Sequence, residues 1–237
     1  MKKKVILITG AGQKTSIGAA LAKHLAKQNF ALVIHYHSRG QEAQILAKNL
    51  PNAKSFKADL SREKEARNLI RQIIKQYGRL DGLIHCSGLY QPKTLDRLTE
   101  KEWQEGIQST VTTCFFTIRA ALPYLRKSKQ GRIINLGDSS CAKLGPRHLA
   151  ISYHIGKIGV LLLTQTFAKQ EAPHGITVNM ISPGIMENSL DVDQAPPIPA
   201  GRLGKFQDII QAADFLLNEK TQYLTGSNLI VSGGWNL

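Results

Sequence analysis

The sequence predicts an α/β fold in which helices flank a doubly wound parallel sheet. Strand-length runs of Val, Ile and Leu alternate with helix-length segments along the 237 residues. The runs are almost wholly apolar, as strands are when helices cover both faces of a parallel sheet. A glycine-rich turn joins the first run to the first helix, which is typical of dinucleotide-binding folds. We therefore expect one Rossmann-type domain over 1–237, built on seven strands.

Apolar periodicity gives the order of the elements. Continuous apolar runs predict strands over 5–10, 31–37, 54–60, 82–88, 131–137, 176–182 and 228–232. Helical periodicity fills the intervals and predicts helices over 17–28, 41–49, 62–77, 100–126, 151–171 and 207–217. The stretch 187–202 is rich in Pro and Gly, so we expect a mobile loop there, within a substrate-loop region at 185–203.

Composition and charge exclude several classes of protein. The formal net charge of +14 attracts anionic partners, but the basic residues are spread along the chain and match no nucleic-acid-binding motif. The longest apolar runs have strand length, and the basic start leads into the first strand rather than a signal peptide. Three cysteines without a C-x-x-C pattern argue against a disulfide framework or structural zinc. We expect a cytoplasmic protein that binds no nucleic acid, membrane or metal.

The turn after the first strand is the predicted binding site for a pyrophosphate. It runs from Thr9 to Gly18 and opens the first helix, so backbone amides and a helix N-terminus would face the phosphates. A phosphate-binding P-loop is excluded because Gln13 precedes Lys14 where that motif needs Gly. The residues assigned to cofactor contact are Gly10, Lys14, Ser16, Ile17 and Gly18. The alternative is a purely structural glycine turn.

The end of the second strand indicates which nicotinamide cofactor binds. NAD-binding folds usually place a carboxylate there to hold the ribose 2′-hydroxyl. Residues 35–39 read His-Tyr-His-Ser-Arg and contain no carboxylate. Ser38 and Arg39 can hydrogen-bond a 2′-phosphate, with His37 and Lys14 assigned to the same group. NADP(H) is therefore the predicted cofactor. The alternative interpretation of this segment is a solvated loop that contacts no ribose.

Tyr153 and Lys157 form the candidate catalytic pair. Their i, i+4 spacing places both side chains on one face of a helix, about one turn apart. A nearby cation favours the phenolate and lowers the pKa of a tyrosine, which would make Tyr153 a proton donor near neutral pH. The alternative is an exposed tyrosine beside a solvated lysine.

Five motifs in order give the chain its resemblance to a known family. They are Thr9-Gly10…Ile17-Gly18, Ala58-Asp59-Leu60, Tyr153-x-x-x-Lys157, Ser182-Pro183-Gly184 and Ser232-Gly233-Gly234. Together they resemble the short-chain dehydrogenase/reductase family over essentially the whole chain.

The resemblance implies a role for each matching residue. Tyr153 would protonate a carbonyl oxygen as hydride arrives, and Lys157 would tune that phenol and hold the nicotinamide ribose. The remaining cofactor contacts would be Asp59 and Leu60 at the adenine, Ser87 and Gly88 along the cofactor, and Pro183 and Gly184 beside the nicotinamide. Family relatives are mostly tetramers, so the resemblance also implies a homotetramer.

The chain departs from the family pattern in ways that affect the site. The glycine turn is two residues longer than usual, and Ser16 replaces a glycine. This is similar to the enoyl-carrier-protein reductase branch, which we reject because those enzymes space Tyr and Lys more widely. The helix Asn that usually holds a relay water is replaced by Thr110. Counting back from Tyr153 selects Ser140 as the third catalytic residue, whereas counting from the end of strand five selects Asp138.

Three functions remain open from the sequence. The first is an NADPH-dependent carbonyl reductase, similar to 3-oxoacyl-carrier-protein reductases, acting on a small-molecule or carrier-bound carbonyl. The second is a pteridine or dihydromonapterin reductase, which residues 35–39 and Asp138 resemble, although Tyr90 is not clearly in register for stacking a pterin. The third is an NADP(H)-binding sensor or scaffold without catalysis.

Overall fold

The computed structural model describes residues 3–190, 192 and 197–236. Its strands form one sheet in the order β3-β2-β1-β4-β5-β6-β7, and every neighbouring pair is parallel. The strands are β1 (Lys4–Thr9), β2 (Phe30–Tyr36), β3 (Ala53–Lys57), β4 (Gly82–His85), β5 (Arg132–Leu136), β6 (Thr177–Pro183) and β7 (Asn228–Val231). The predicted doubly wound parallel sheet is confirmed.

Helices cover both faces of this sheet. They are α1 (Ile17–Leu25), α2 (Gly40–Lys48), α3 (Glu63–Tyr77), α4 (Glu100–Ile107), α5 (Thr113–Ser128), α6 (Ile151–Glu171) and α7 (Phe206–Leu217). One buried apolar cluster joins α1, α2 and α7 to the sheet, and a second joins α3, α5 and α6 to its other face. No helix in the described part of the chain is long and apolar enough to cross a membrane.

The long helix predicted over 100–126 is interrupted. A π-helical turn, Gln108–Thr112, separates α4 from α5. The hydroxyl of Thr110 donates to the carbonyls of Gly106 and Ile107, and that of Thr113 donates to two carbonyls of the preceding turn. Such side-chain bonds compete with the helical ladder, and π turns are frequent at functional sites. The turn packs against α6, the helix that carries Tyr153.

The strand order places the predicted site at a switch point. From β1 the chain runs outward to β2 and β3, and it then returns to place β4 on the other side of β1. Ligands of open α/β sheets bind in the crevice outside the carboxyl ends of strands at such a point. The predicted loop 187–202 leaves the sheet beyond β6 and is closed at its base by a bridge between Met186 and Gly204. Residues 191 and 193–196 of this loop lie outside the described residues.

Candidate active site

A cleft of about 520 Å³ lies beyond the carboxyl ends of β1, β2 and β4. The predicted cofactor residues that line it are Gly10, His37, Ser38, Arg39, Asp59, Leu60, Ser87 and Gly88. They come from the turns that follow four different strands, so the fold brings together residues that are far apart in sequence. The cleft is therefore an extended groove along the strand ends, as a dinucleotide requires.

The glycine turn approaches the end of β4 closely. Gly10 has φ of +65°, and a Cβ there would lie 3.0 Å from the carbonyl of Cys86. The hydroxyl of Thr9 accepts hydrogen bonds from the Cys86 amide at 3.1 Å and the Ser87 hydroxyl at 3.0 Å. His35 supports the turn from behind, because its Nδ1 accepts from the Gly10 amide at 3.4 Å. Glycine at position 10 is thus required both by its backbone angle and by this close approach.

Of the five residues of the glycine turn assigned to the cofactor, four lie outside the set that lines this cleft: Lys14, Ser16, Ile17 and Gly18. Ser16 caps α1, since its hydroxyl accepts from the Ala19 amide at 3.1 Å and donates to the Gln13 carbonyl at 2.8 Å. Gly18 packs against the turn, where a Cβ would lie 3.1 Å from the Cα of Ala11. Both residues shape the phosphate turn, and their direct contact with a cofactor stays a prediction.

A carboxylate, that of Glu42, accepts from the Lys14 amide and pairs with Arg39 at the side of the cleft. The Lys14 amide donates to Glu42 Oε2 at 2.8 Å, and Arg39 Nη1 lies 3.4 Å from Glu42 Oε1. Glu42 was not predicted as a site residue, although its i, i+3 spacing from Arg39, at the start of α2, could have indicated the pairing. The arrangement shows that these donors converge on one anionic group.

A second cavity, of about 600 Å³, contains the candidate catalytic residues. The predicted residues that line it are Ile17, Asp138, Ser140, Tyr153, Pro183 and Gly184. Tyr90 also lines it, and its ring meets the Tyr153 ring edge-on with centroids 5.2 Å apart. Tyr90, whose register the sequence left open, therefore lies directly against the candidate acid.

Lys157 contacts residues of both cavities: Ser87 and Gly88 of the cleft, and Tyr153 of the second cavity. Its Nζ donates to the carbonyl of Leu136 at 2.7 Å and lies 3.4 Å from the carbonyl of Ser87. A Cβ on Gly88 would come within 3.2 Å of the same nitrogen. The buried ammonium thus connects the end of β5 to the segment after β4, beside Tyr153.

The expectation that the pKa of Tyr153 is lowered overall is wrong in this structure, because other effects outweigh any contribution of the Lys157 charge. Burial of the phenol, with the negative charge of Asp138 nearby, raises the pKa of Tyr153 well above its usual value. Lys157 Nζ lies 5.5 Å from the centroid of the tyrosine ring and donates to backbone carbonyls. Burial also lowers the pKa of Lys157 itself, since its charge is desolvated. Tyr153 is therefore protonated at neutral pH, as a proton donor must be.

Both candidates for the third catalytic residue lie in the cavity and contact each other. Asp138 begins a short 3-10 turn, Ser139–Ala142, and its Oδ1 accepts from both the amide and the hydroxyl of Ser140. The same hydroxyl oxygen lies 3.2 Å from Nδ1 of His154. His154 follows Tyr153 directly in α6, and no motif in the sequence identified it as a site residue.

Thr110, which stands where the family usually has Asn, is a packing residue. It is fully buried, and its hydroxyl is occupied by the carbonyls of Gly106 and Ile107. A Cβ on Gly156 would overlap the Thr110 side chain, so the glycine lets α6 approach the π turn. Replacement of the usual Asn by Thr110 therefore predicts that the proton relay is altered or absent.

Comparisons with known proteins cover nearly the whole chain. A family model described as Enoyl-(Acyl carrier protein) reductase matches residues 10–236. Glucose 1-dehydrogenase 2 of Bacillus subtilis is 30% identical over 249 aligned residues, which cover 99% of this chain and 95% of that protein. The 3-oxoacyl-[acyl-carrier-protein] reductase FabG of Staphylococcus epidermidis is 30% identical over 243 residues, covering 98% of each chain.

A solved structure gives the same result for the fold. A dehydrogenase/reductase from Sinorhizobium meliloti superposes with a TM-score of 0.90 at 27% identity, covering 100% of this chain and 96% of that one. The relatives are named as a dehydrogenase and a reductase, and the match to the family model spans all the residues that line the two cavities. The chain belongs to the short-chain dehydrogenase/reductase family.

Proposed function

We propose that the protein is an NADPH-dependent carbonyl reductase that acts on a ketone, similar to 3-oxoacyl-carrier-protein reductases. The observation that carries this proposal is that Tyr153 lines the second cavity, while Lys157, one helical turn later, contacts the carbonyl of Ser87, which lines the cleft. NADPH would supply the hydride, and the cleft residues would hold it so that the nicotinamide reaches the cavity. The second cavity would then hold the carbonyl substrate.

The residues of the second cavity account for the proton chemistry. Tyr153 is protonated at neutral pH and would donate its proton to the oxyanion that forms on the carbonyl oxygen. The ammonium of Lys157, 5.5 Å from the tyrosine ring centroid, would stabilise the resulting phenolate. Asp138 and Ser140 would fix the orientation of the substrate beside Tyr153. Assay of NADPH oxidation with an acetoacetyl thioester tests this function.

Arg39 is expected to select NADPH over NADH. We expect Arg39→Ala to weaken NADPH binding about tenfold or more and to change NADH binding less than about twofold, because a charge-assisted hydrogen bond contributes about 1.5–3 kcal/mol. Glu42→Gln is the opposite test: it removes the carboxylate that occupies the same donors and should tighten NADPH binding roughly threefold. Fluorescence titration with both cofactors measures this. Equal effects of Arg39→Ala on the two cofactors would show that Arg39 does not read the 2′-phosphate.

The third catalytic residue is resolved by comparing two variants. Because the Ser140 hydroxyl donates to Asp138, its hydrogen is not available to a substrate carbonyl in this arrangement. We therefore expect Asp138→Ala to lower kcat about 100-fold and Ser140→Ala about tenfold. Steady-state kinetics on both variants checks the order. A Ser140→Ala loss larger than that of Asp138→Ala would make Ser140 the group that contacts the carbonyl.

A pteridine reductase is the second candidate function. Asp138 suits a nitrogen heterocycle because a carboxyl group can exchange a proton with a ring nitrogen. Tyr90 adds an aromatic surface in the same cavity, and its contact with Tyr153 is the observation that favours this alternative. NADPH oxidation with dihydrobiopterin, compared with an acetoacetyl thioester, separates the two substrate classes.

A non-catalytic sensor or scaffold and a homotetramer are further proposals. Tight NADPH binding without turnover of any carbonyl or pterin would favour the sensor. Apolar side chains exposed on α4 and α6, namely Trp103 at 40%, Ile155 at 41% and Leu162 at 65%, support assembly through these helices. Light scattering coupled to gel filtration measures the oligomeric state.

A further inference from the structure

A directed chain of hydrogen bonds ends on Asp138. A carboxylate only accepts hydrogen bonds, so the Ser140 hydroxyl hydrogen lies in its bond to Asp138 Oδ1. The Ser140 oxygen then offers only lone pairs to His154 Nδ1, 3.2 Å away. Nδ1 must therefore carry a hydrogen and donate it. The chain runs in one direction, from His154 through Ser140 to Asp138.

His154 is held in a neutral state that suits proton transfer. It is 8% exposed, and burial lowers its pKa, with Arg147 acting in the same direction and Asp138 in the opposite one. The Cys141 thiol lies 3.8 Å from the His154 carbonyl, and the rings of Tyr90 and Tyr153 face the imidazole edge-on. A neutral imidazole with a hydrogen on Nδ1 carries its lone pair on Nε2. The ring can thus take a proton at one nitrogen and release one at the other.

Reduction of a carbonyl consumes one proton per turnover, and the phenol of Tyr153 must be reprotonated each time. Thr110, at the position of the usual relay residue, is fully buried and its hydroxyl is committed to two backbone carbonyls. Asp138 and Tyr153 line the same cavity, and the negative charge of Asp138 raises the pKa of the phenol. The chain that ends on Asp138 therefore ends in the cavity that contains the group that needs the proton.

We propose that His154 supplies the proton that restores Tyr153, acting through Ser140 and Asp138; this rests on the proposed reductase function. His154 Nε2 takes a proton from water, and Nδ1 gives its own to Ser140 Oγ. Ser140 passes its hydroxyl proton to Asp138, and Asp138 passes it to the tyrosine phenolate. One proton enters and one is consumed, and Asp138 returns to its charged state. The cycle closes when the Ser140 hydroxyl turns back toward Asp138 and exchange with water moves the hydrogen of His154 from Nε2 to Nδ1.

The test is His154→Ala with and without added imidazole. We expect kcat to fall at least about tenfold above neutral pH, while NADPH affinity changes less than twofold. Imidazole in solution should restore part of the rate in His154→Ala, but not in His154→Ala combined with Ser140→Ala, which lacks the hydroxyl that receives the proton. His174→Ala, an exposed histidine after α6, is the matched control and should keep the wild-type rate and pH profile.

Two results would overturn the proposal. One is a His154→Ala enzyme whose kcat and pH profile match the wild type. The other is a rate loss that imidazole does not restore, together with a lower melting temperature in both His154→Ala and His154→Asn. That result would make His154 a structural residue. A wild-type protein without turnover of any carbonyl or pterin would instead refute the proposed reductase, and the proton path with it.

Discussion

Tyr153→Phe is expected to lower kcat for carbonyl reduction about 10³-fold and to leave NADPH affinity within about twofold of wild type. The substitution removes one hydroxyl from a ring that already packs against Tyr90, so the shape of the cavity is preserved. It also removes the proposed proton donor. Among the described residues, only Tyr90 supplies another phenol to the lining of this cavity. Lys157 keeps its bonds to the carbonyls of Leu136 and Ser87, which explains why cofactor binding should survive.

Single-turnover oxidation of bound NADPH measures this effect without interference from product release. Tyr223→Phe provides the control, since the Tyr223 side chain is fully exposed and lies outside both cavities. Near-normal turnover in Tyr153→Phe would remove the tyrosine from the reaction, whatever the behaviour of the control. A loss of NADPH affinity equal to the loss of rate would assign Tyr153 to binding instead.

The fold was predictable because its signals are local. Apolar runs bounded by glycine turns determine the strands, and α6 spans Ile151–Glu171, the range expected from periodicity. Because all strands of the sheet are parallel, the residues that follow each strand lie at the same edge of the sheet. Gly10, Arg39, Asp59 and Ser87 line one cleft for that reason.

The parts of the site that sequence reasoning missed depend on contacts between distant segments. His154 becomes informative only when the turn after β5 brings Ser140 within 3.2 Å of it. The sign of the pKa shift at Tyr153 depends on burial and on Asp138, neither of which the i, i+4 spacing reveals. The π turn at Thr110 arises because side-chain hydroxyls compete with the helical ladder, and helix propensity does not report such competition.

Buried histidines are expected to make the protein sensitive to acid. Burial lowers the pKa of His35 to about 4, and that of His85 to about 3 with Lys157 adding to the effect. Both are neutral in the folded state, whereas the unfolded chain binds a proton at each below about pH 6.5. The contribution of these histidines to the free energy of unfolding is therefore fully present above about pH 6.5. It decreases as the pH drops toward 4, by about 1.4 kcal/mol per pH unit for each residue.

The substitution His85→Asn isolates the larger of the two histidine contributions to the loss of stability in acid. His85 is fully buried in the centre of the sheet, and neither ring nitrogen has a hydrogen-bond partner among the described residues, so nothing there stabilises a proton. We expect the variant to lose stability less steeply between pH 6.5 and 4, by about 1.4 kcal/mol per pH unit, whatever its stability at neutral pH. Urea unfolding across that range measures the slope, with His174→Asn as the exposed control that should keep the wild-type slope. An unchanged slope in His85→Asn would mean that the folded protein binds a proton at His85 as readily as the unfolded chain does.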